Sequence, residues 1–156
     1  MFELRANDPE ANRLICTTLG LSMSPVDVSF SRWKDGELMG GVVYQRYVER
    51  VSILIHVASF KPNWLNRDFL WVAFHYPFEQ LKCQRLFGMV NENNEEALKF
   101  DLKLGFKVET RIRKVYPDGD QIILVMERDK CRWLGIKPKY MQSNARVTNE
   151  QEEQRT

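Results

Sequence analysis

Residues 90–106, which read V-N-E-N-N-E-E-A-L-K-F-D-L-K-L-G-F, constrain the fold more than any other part of the chain. They specify the end of one strand, a helix and the start of the next strand. Asn93 or Asn94 can cap the helix with its side-chain oxygen. Glu95 and Glu96 favour the first turn, because negative side chains there face the positive end of the helix dipole.

The same helix has one apolar side. Ala97, Phe100 and Leu104 recur at spacings of three and four, which places them on one face. Gly105 ends the helix, because glycine takes the left-handed conformation of a C-terminal cap. Phe106 then begins an alternating segment. A short apolar run at 85–90 precedes the helix and suits a buried strand. The stretch therefore predicts a β-α-β unit.

The other elements follow from turn signals and periodicity. A short alternating segment leads to Asp8-Pro9, an N-cap followed by proline at the first helical position. Tight turns then separate three strands, and a helix limited by Pro77 follows them. A turn at 116–120 closes a final hairpin. The predicted order is β-α, three strands, α-β-α and a closing hairpin. The three strands between the helices are predicted at 26–33, 38–47 and 51–58.

An N-x-x-N-x-x-A run that closes in K-x-G-F resembles the C-terminal half of the GCN5-related N-acetyltransferase (GNAT) superfamily, and the order of elements is similar to that family across residues 1 to about 130. The resemblance implies an α/β (α+β) fold with a mixed, mostly antiparallel central sheet flanked by helices on both faces. We expect one such domain at 1–134. The polar residues 135–156 are expected to form a tail that is disordered or ordered by a partner.

Composition excludes several classes of function. The formal net charge is +2 at pH 7, which gives no strong drive toward nucleic acid or anionic membranes, so any basic surface must be local. Cys16, Cys83 and Cys131 are odd in number and widely spaced, as in a reducing compartment and unlike a disulfide framework or zinc site. The chain shows neither the apolar length of a spanning helix nor a signal peptide. We expect a cytoplasmic protein, in the host cytoplasm if phage-encoded, with no metal and no membrane partner.

The resemblance implies acetyl-coenzyme A as co-substrate and indicates which residues would hold it. In that family the helix after the fifth strand gives the coenzyme an Asn, here Asn94, and packs a small residue, here Ala97, against the pantetheine arm. The central strand, here residues 51–58, splays from its neighbour, so that its free backbone groups pair with the pantetheine amides. Val57 and Ser59, near the end of this strand, are further candidate contacts.

The chain departs from the family pattern before the next helix. The family holds the pyrophosphate with a glycine-rich turn, whereas residues 62–67 read P-N-W-L-N-R without glycine. Asn66 can still cap the helix, its N-terminal amides can face an anion, and Arg67 can add positive charge. Asn63 and Leu65 join these two as coenzyme-binding candidates. The alternative is an ordinary capped surface helix with a solvated arginine.

Three side chains are candidates for the proton transfers. His56 is the candidate general base, with a packed histidine in the opposite layer as the alternative. Asp101 stands where many family members carry a tyrosine that protonates the leaving thiolate. An exposed Asp has a pKa of about 3.9 and would be ionised, although burial could raise it. The alternative is a surface carboxylate near Lys99 and Lys103. Tyr44 is a substitute acid or a packing residue.

The sequence thus predicts an N-acetyltransferase that acts by direct attack on a small-molecule or protein amine. The alternative is a catalytically silent binding or structural protein of the same fold, because the glycines and the usual tyrosine are missing. The W-L-N-R, Y-P-F and N-x-x-A blocks also resemble small acetyltransferase-like proteins of tailed bacteriophages, which implies a virion or host-directed role. Nucleic-acid binding through the basic residues 111–114 is less favoured. A homodimer or an assembly partner could form through the tail.

Overall fold

The computed structural model describes residues 1–136, which form a seven-stranded sheet in the order β1-β2-β3-β4-β5-β7-β6 with helices on both faces. This confirms the predicted mixed fold. The strands are β1 (Phe2–Ala6), β2 (Val28–Lys34), β3 (Glu37–Val48), β4 (Ser52–Ser59), β5 (Arg85–Asn91), β6 (Lys107–Tyr116) and β7 (Gly119–Glu127). The α-helices are α1 (Pro9–Leu19), α2 (Arg67–His75) and α3 (Glu95–Leu104). Residues 137–156, most of the predicted tail, lie outside the described residues.

The sheet is antiparallel except at its centre, where β4 and β5 run parallel. Their pairing lasts only from Ser52 opposite Arg85 to Leu54 opposite Phe87. Beyond that point β4 continues to pair with β3, and β5 continues to pair with β7. The two central strands therefore diverge toward their C-terminal ends and open the sheet.

Two apolar layers hold the helices on the sheet. The larger layer packs α2, α3 and a following π-helical turn on one face, and buries Phe69, Phe74 and Leu86 almost completely. The smaller layer packs α1 on the other face, where Ile15 contacts the cluster that includes Val43 and Ala58. Successive strand residues alternate between these faces. Each residue of β4 can therefore be assigned to one layer.

Helix ends follow the sequence signals. Asp8 accepts a hydrogen bond from the Ala11 amide at the start of α1. Asn94, rather than Asn93, caps α3, and Gly105 ends that helix in the left-handed conformation. Pro77 limits α2 as predicted, but the chain continues as a π-helical turn over Tyr76–Gln80. Because proline has no amide hydrogen, such a wider turn is compatible with Pro77 at this point.

Strand β6 forms an exposed edge of the sheet. The predicted alternating segment that begins at Phe106 is interrupted, because a bulge lies between Val108 and Thr110. Val108 pairs with Leu124, whereas Ile112 pairs with Gln121, so the two apolar side chains lie on opposite faces. Both are largely exposed, at 55% and 44%.

Candidate active site

A cleft of about 740 Å³ opens where β4 and β5 diverge. From Ile55 onward on β4, and from Gly88 onward on β5, the two strands no longer pair with each other within the described part of the chain. Both strands therefore turn an unpaired backbone edge toward the cleft. Such N–H and C=O groups require partners when water is excluded, so these edges can hydrogen-bond an extended ligand with amide groups.

One mouth of the cleft lies on the side of α2 and α3. Val57, Ala97 and Phe100 line it, together with Asn94 at the start of α3. The side-chain oxygen of Asn94 accepts from the Ala97 amide at 3.3 Å. The structure thus brings three of the predicted coenzyme-binding residues, Val57, Asn94 and Ala97, to one cleft. Ser59, an exposed residue, also lines it.

The other mouth lies on the side of α1. His56 is on this face, because it pairs with Val43, which packs in the α1 layer. Leu19 and Leu21 line the same mouth from the end of α1 and the segment after it. The cleft therefore passes through the sheet, and His56 lies on the opposite side from α3.

A chain of hydrogen bonds orients the His56 ring. The Gln45 amide nitrogen donates to the Ser22 carbonyl at 2.8 Å and to the Asp27 carboxylate at 2.9 Å. The side-chain oxygen of Gln45 therefore faces His56 Nε2, at a distance of 2.9 Å. Because an amide oxygen only accepts, Nε2 must carry the hydrogen, and Nδ1 is the basic nitrogen of the neutral ring. Burial lowers the pKa of His56 below 6.5, with a smaller contribution from Arg46 in the same direction, so the ring is neutral at pH 7.

Asp101 lies on the α3 side of the cleft, partly buried. Burial raises the pKa of its carboxyl to about 6. At pH 7 about a tenth of the molecules would then carry the proton on Asp101. The carboxyl is thus able to donate a proton over a pH range in which an exposed Asp is fully ionised.

Tyr44 lies outside the cleft. It is almost fully buried against α2, where its hydroxyl donates to the Ala73 carbonyl and its ring packs against Phe30 and Tyr76. Burial raises its pKa well above the ordinary tyrosine value. It lines a separate cavity of about 680 Å³ beside Gln45. Its geometry is that of a packing residue with a satisfied hydroxyl.

The sequence reasoning did not single out Tyr116 and Gln121, which also line the cleft. The Gln121 amide donates to the Tyr116 hydroxyl at 3.2 Å, which leaves the hydroxyl hydrogen of Tyr116 able to reach an acceptor. The Y-P-D-G-D turn that separates them in sequence predicts a hairpin. Because a hairpin brings its two ends close together, this turn is the sequence signal that could have placed Tyr116 beside Gln121.

Comparisons with known proteins identify the fold. No family model matches the sequence, and no curated protein matches it. The structure is similar to spermidine N-acetyltransferase SpeG from Vibrio cholerae, at 16% identity and a TM-score of 0.67, covering 84% of this chain and 96% of that chain. It is also similar to a GNAT-family acetyltransferase from Bacillus anthracis, at 17% identity and a TM-score of 0.53, covering 66% of each chain. The chain has the GNAT fold.

Within this GNAT fold the glycine-free loop is fixed in another way. The buried guanidinium of Arg32 on β2 donates to the Asn63 carbonyl at 3.2 Å and to the Trp64 carbonyl. Asn66 caps α2 by accepting from the Phe69 amide at 2.8 Å. Sequence reasoning missed Arg32, because it lies about 30 residues before the loop.

The remaining coenzyme candidates lie beside the cleft rather than along it. Leu65, Asn66 and Arg67 line a smaller cavity of about 280 Å³ next to Trp71. Asn63 is exposed, with a positive φ of 58°. The structure therefore separates these four residues from the group formed by Val57, Ser59, Asn94 and Ala97. Arg67 is exposed at the first position of α2, where its charge can still reach an anion at the helix start.

Trp64 forms one wall of the cleft and depends on Gly40. A Cβ on Gly40 would lie 2.3 Å from the Trp64 ring, which only glycine avoids. The ring packs edge-on against Phe69 and tilted over Phe100 of α3. Trp64 thus fills the side of the cleft next to the loop that lacks glycine.

Two further observations concern the described residues. Residues 1–136 contain no group of three or more His, Cys, Asp or Glu side chains that could hold a metal ion. No helix formed by these residues combines the length and apolar character needed to cross a bilayer.

Proposed function

We propose that this protein is an acetyl-coenzyme A dependent N-acetyltransferase that acts by direct attack of an amine. One observation carries the proposal: the cleft passes through the sheet with His56 on one side and Asp101 on the other. Acetyl transfer from a thioester needs a group that takes the proton of the amine and usually a group that protonates the leaving thiolate, and the two sides of this cleft offer one candidate for each role. The GNAT fold supports the same class of reaction, without specifying the acceptor.

The cleft fits acetyl-coenzyme A, which supplies an activated acetyl thioester when bound. Its volume of about 740 Å³ lies in the range of small-molecule sites. The unpaired edge of β4 from Ile55 to Ser59 offers backbone groups for pantetheine amides, and one of its N–H groups could stabilise an oxyanion. Ala97 and Asn94 would face the same arm from α3.

His56 would accept the proton from the amine. Its Nδ1 is the unprotonated nitrogen, and the lowered pKa keeps the ring neutral at and above pH 7. Gln45 and Asp27 hold this tautomer through the hydrogen bonds described above. The amine nitrogen would form its bond to the acetyl carbon as its proton passes to His56.

Asp101 would return a proton to the thiolate in place of the usual tyrosine. Its carboxyl can donate only when protonated, so we expect the contribution of Asp101 to fall as pH rises through about 6. Above that pH the ionised carboxylate would oppose the developing thiolate, and water or Tyr116 would have to supply the proton. The reaction is therefore expected to lose efficiency on the alkaline side.

Release of coenzyme A, followed with a thiol reagent over a panel of primary amines, tests this function. We expect His56→Gln to lower kcat by about 10²- to 10⁴-fold, as for removal of a general base. His75→Gln is the matched control, because His75 stacks on Trp71, at 4.0 Å between ring centroids, and does not line the cleft. Equal loss in both variants, or none in either, would refute the role of His56.

The second candidate is a catalytically silent protein of this fold, favoured by the glycine-free loop held by Arg32. Binding of acetyl-coenzyme A without release of the thiol for any amine would favour it. A phage-encoded origin, a cytoplasmic location and assembly through the tail stay predictions from the sequence.

A further inference from the structure

The two mouths of the cleft differ in charge. On the α3 side, Glu96 and Asp101 line the opening. On the α1 side the described lining residues carry no formal charge at pH 7, since His56 is neutral. They are chiefly Leu19, Leu21, His56, Met89, Tyr116 and Gln121.

This uncharged mouth continues onto an apolar part of the sheet. Phe87 and Met89 of β5 pair with Val125 and Ile123 of β7, and alternate with the buried residues of the larger core. Ile112 of β6, 44% exposed, lies on the same side because it pairs with Gln121. These five residues, which we call the open apolar face, pack in neither core layer. Within residues 1–136, α1 covers only the β2–β4 part of this side.

Charges beside the mouth give no net attraction for a second cationic group. Besides burial, Arg46 lowers the pKa of His56, and the carboxylate of Asp27 acts in the opposite direction with a smaller effect. The described residues that line this side of the cleft include no carboxylate. A polyamine would need free carboxylates to accompany its second charge. An apolar body would instead gain from contact with the open apolar face.

We infer that the acceptor is a primary amine on an uncharged alkyl or aryl body, which lies on the open apolar face while its nitrogen reaches His56. This inference rests on the proposed function. In the transfer, the amine nitrogen forms a bond to the acetyl carbon, the carbon–sulfur bond breaks, the nitrogen loses its proton to His56, and the thiolate takes a proton from Asp101 or water. Met89 links the two surfaces, because it belongs to both.

Hexylamine and 1,6-diaminohexane form a matched pair of probes, since they differ mainly in the second charge. We expect hexylamine to shift the ring NMR signals of His56 with an apparent affinity at least about tenfold higher than that of the diamine. The second ammonium group of the diamine would keep about two adjacent methylene groups in water, and the loss of their burial accounts for a factor of this size. His56→Gln assigns the signals. This binding measurement needs no turnover, so it can fail or succeed separately from the proposed acetyl transfer.

Two variants locate the body of the amine. Met89→Glu, on the strand next to His56, should weaken hexylamine binding, whereas Val108→Glu on the opposite face of the sheet should not. Equal or tighter binding of the diamine would overturn the inference, as would equal effects of the two variants. Light scattering that shows a dimer dissociated by Met89→Glu alone would also overturn it, because a second copy would then cover the face.

Discussion

Replacement of Asp101 by Asn should stabilise the protein at alkaline pH and leave its stability unchanged at acidic pH. The pKa of about 6 in the folded protein exceeds the ordinary value of 3.8 because the carboxylate is partly buried. In the unfolded chain the carboxyl ionises near its ordinary pKa. Between these two values the folded state binds more protons, so the stability contributed by the carboxyl falls as pH rises.

The magnitude follows from the difference between the two pKa values. The two pKa values differ by about two, and a pKa difference of one corresponds to about 1.4 kcal/mol. The ionised carboxylate therefore lowers the free energy of unfolding by up to about 3 kcal/mol. This cost is absent below about pH 4 and complete above about pH 6. Asparagine has a similar shape without the charge, and Asp101→Asn should recover most of the loss.

Urea unfolding followed by tryptophan fluorescence can measure both proteins at pH 4 and pH 8. We expect equal midpoints at pH 4, and at pH 8 a free energy of unfolding about 2 to 3 kcal/mol higher for the variant. Glu109→Gln, which removes an exposed carboxylate from β6, controls for the change in net charge. A difference that does not depend on pH, or a less stable variant at pH 8, would refute the argument from burial.

Three other substitutions test single contacts. Gln45→Met removes the acceptor of His56 Nε2 and should lower kcat about tenfold with an unchanged KM for acetyl-coenzyme A; an unchanged kcat in steady-state kinetics would show that the contact has no role in catalysis. Gly40→Ala should destabilise the fold by about 1 to 3 kcal/mol by overlap with Trp64, and chemical denaturation that finds no change would contradict this. Asn94→Ala should cost about 1 kcal/mol through loss of the α3 cap, which urea unfolding can compare with the wild type.

The elements could be predicted because their signals are local. An asparagine cap at 93 or 94, the apolar spacing of α3 and the Gly105 terminator were predicted from within a dozen residues, and the structure confirms them with Asn94 as the cap. The π-helical turn after α2 and the bulge in β6 were not predicted, because each depends on contacts from other elements. Local sequence patterns predict which elements exist and in what order, but they predict irregularities such as bulges and π-helical turns less well.

The site was predicted in part. Residues on β4 and α3 meet in the cleft because the β-α-β order places them on either side of the divergence. The Gln45–Asp27 support of His56 was not recognised, because it joins residues on β3 and in the α1–β2 loop whose proximity depends on sheet register. The burial that raises the pKa of Asp101 likewise comes from tertiary packing.

Binding of acetyl-coenzyme A to Gly88 variants tests the central claim most directly, because Gly88 lies where β5 leaves β4. A Cβ there would meet the Ile55 carbonyl oxygen at 3.7 Å, an ordinary contact, so Gly88→Ala should keep the fold and the cleft. Gly88→Leu should fill the gap between the strands. Calorimetry should show binding to the wild type and Gly88→Ala, and none to a folded Gly88→Leu. Equal binding to all three proteins, or no binding to the wild type, would contradict the claim that the divergence of β4 and β5 forms the coenzyme site.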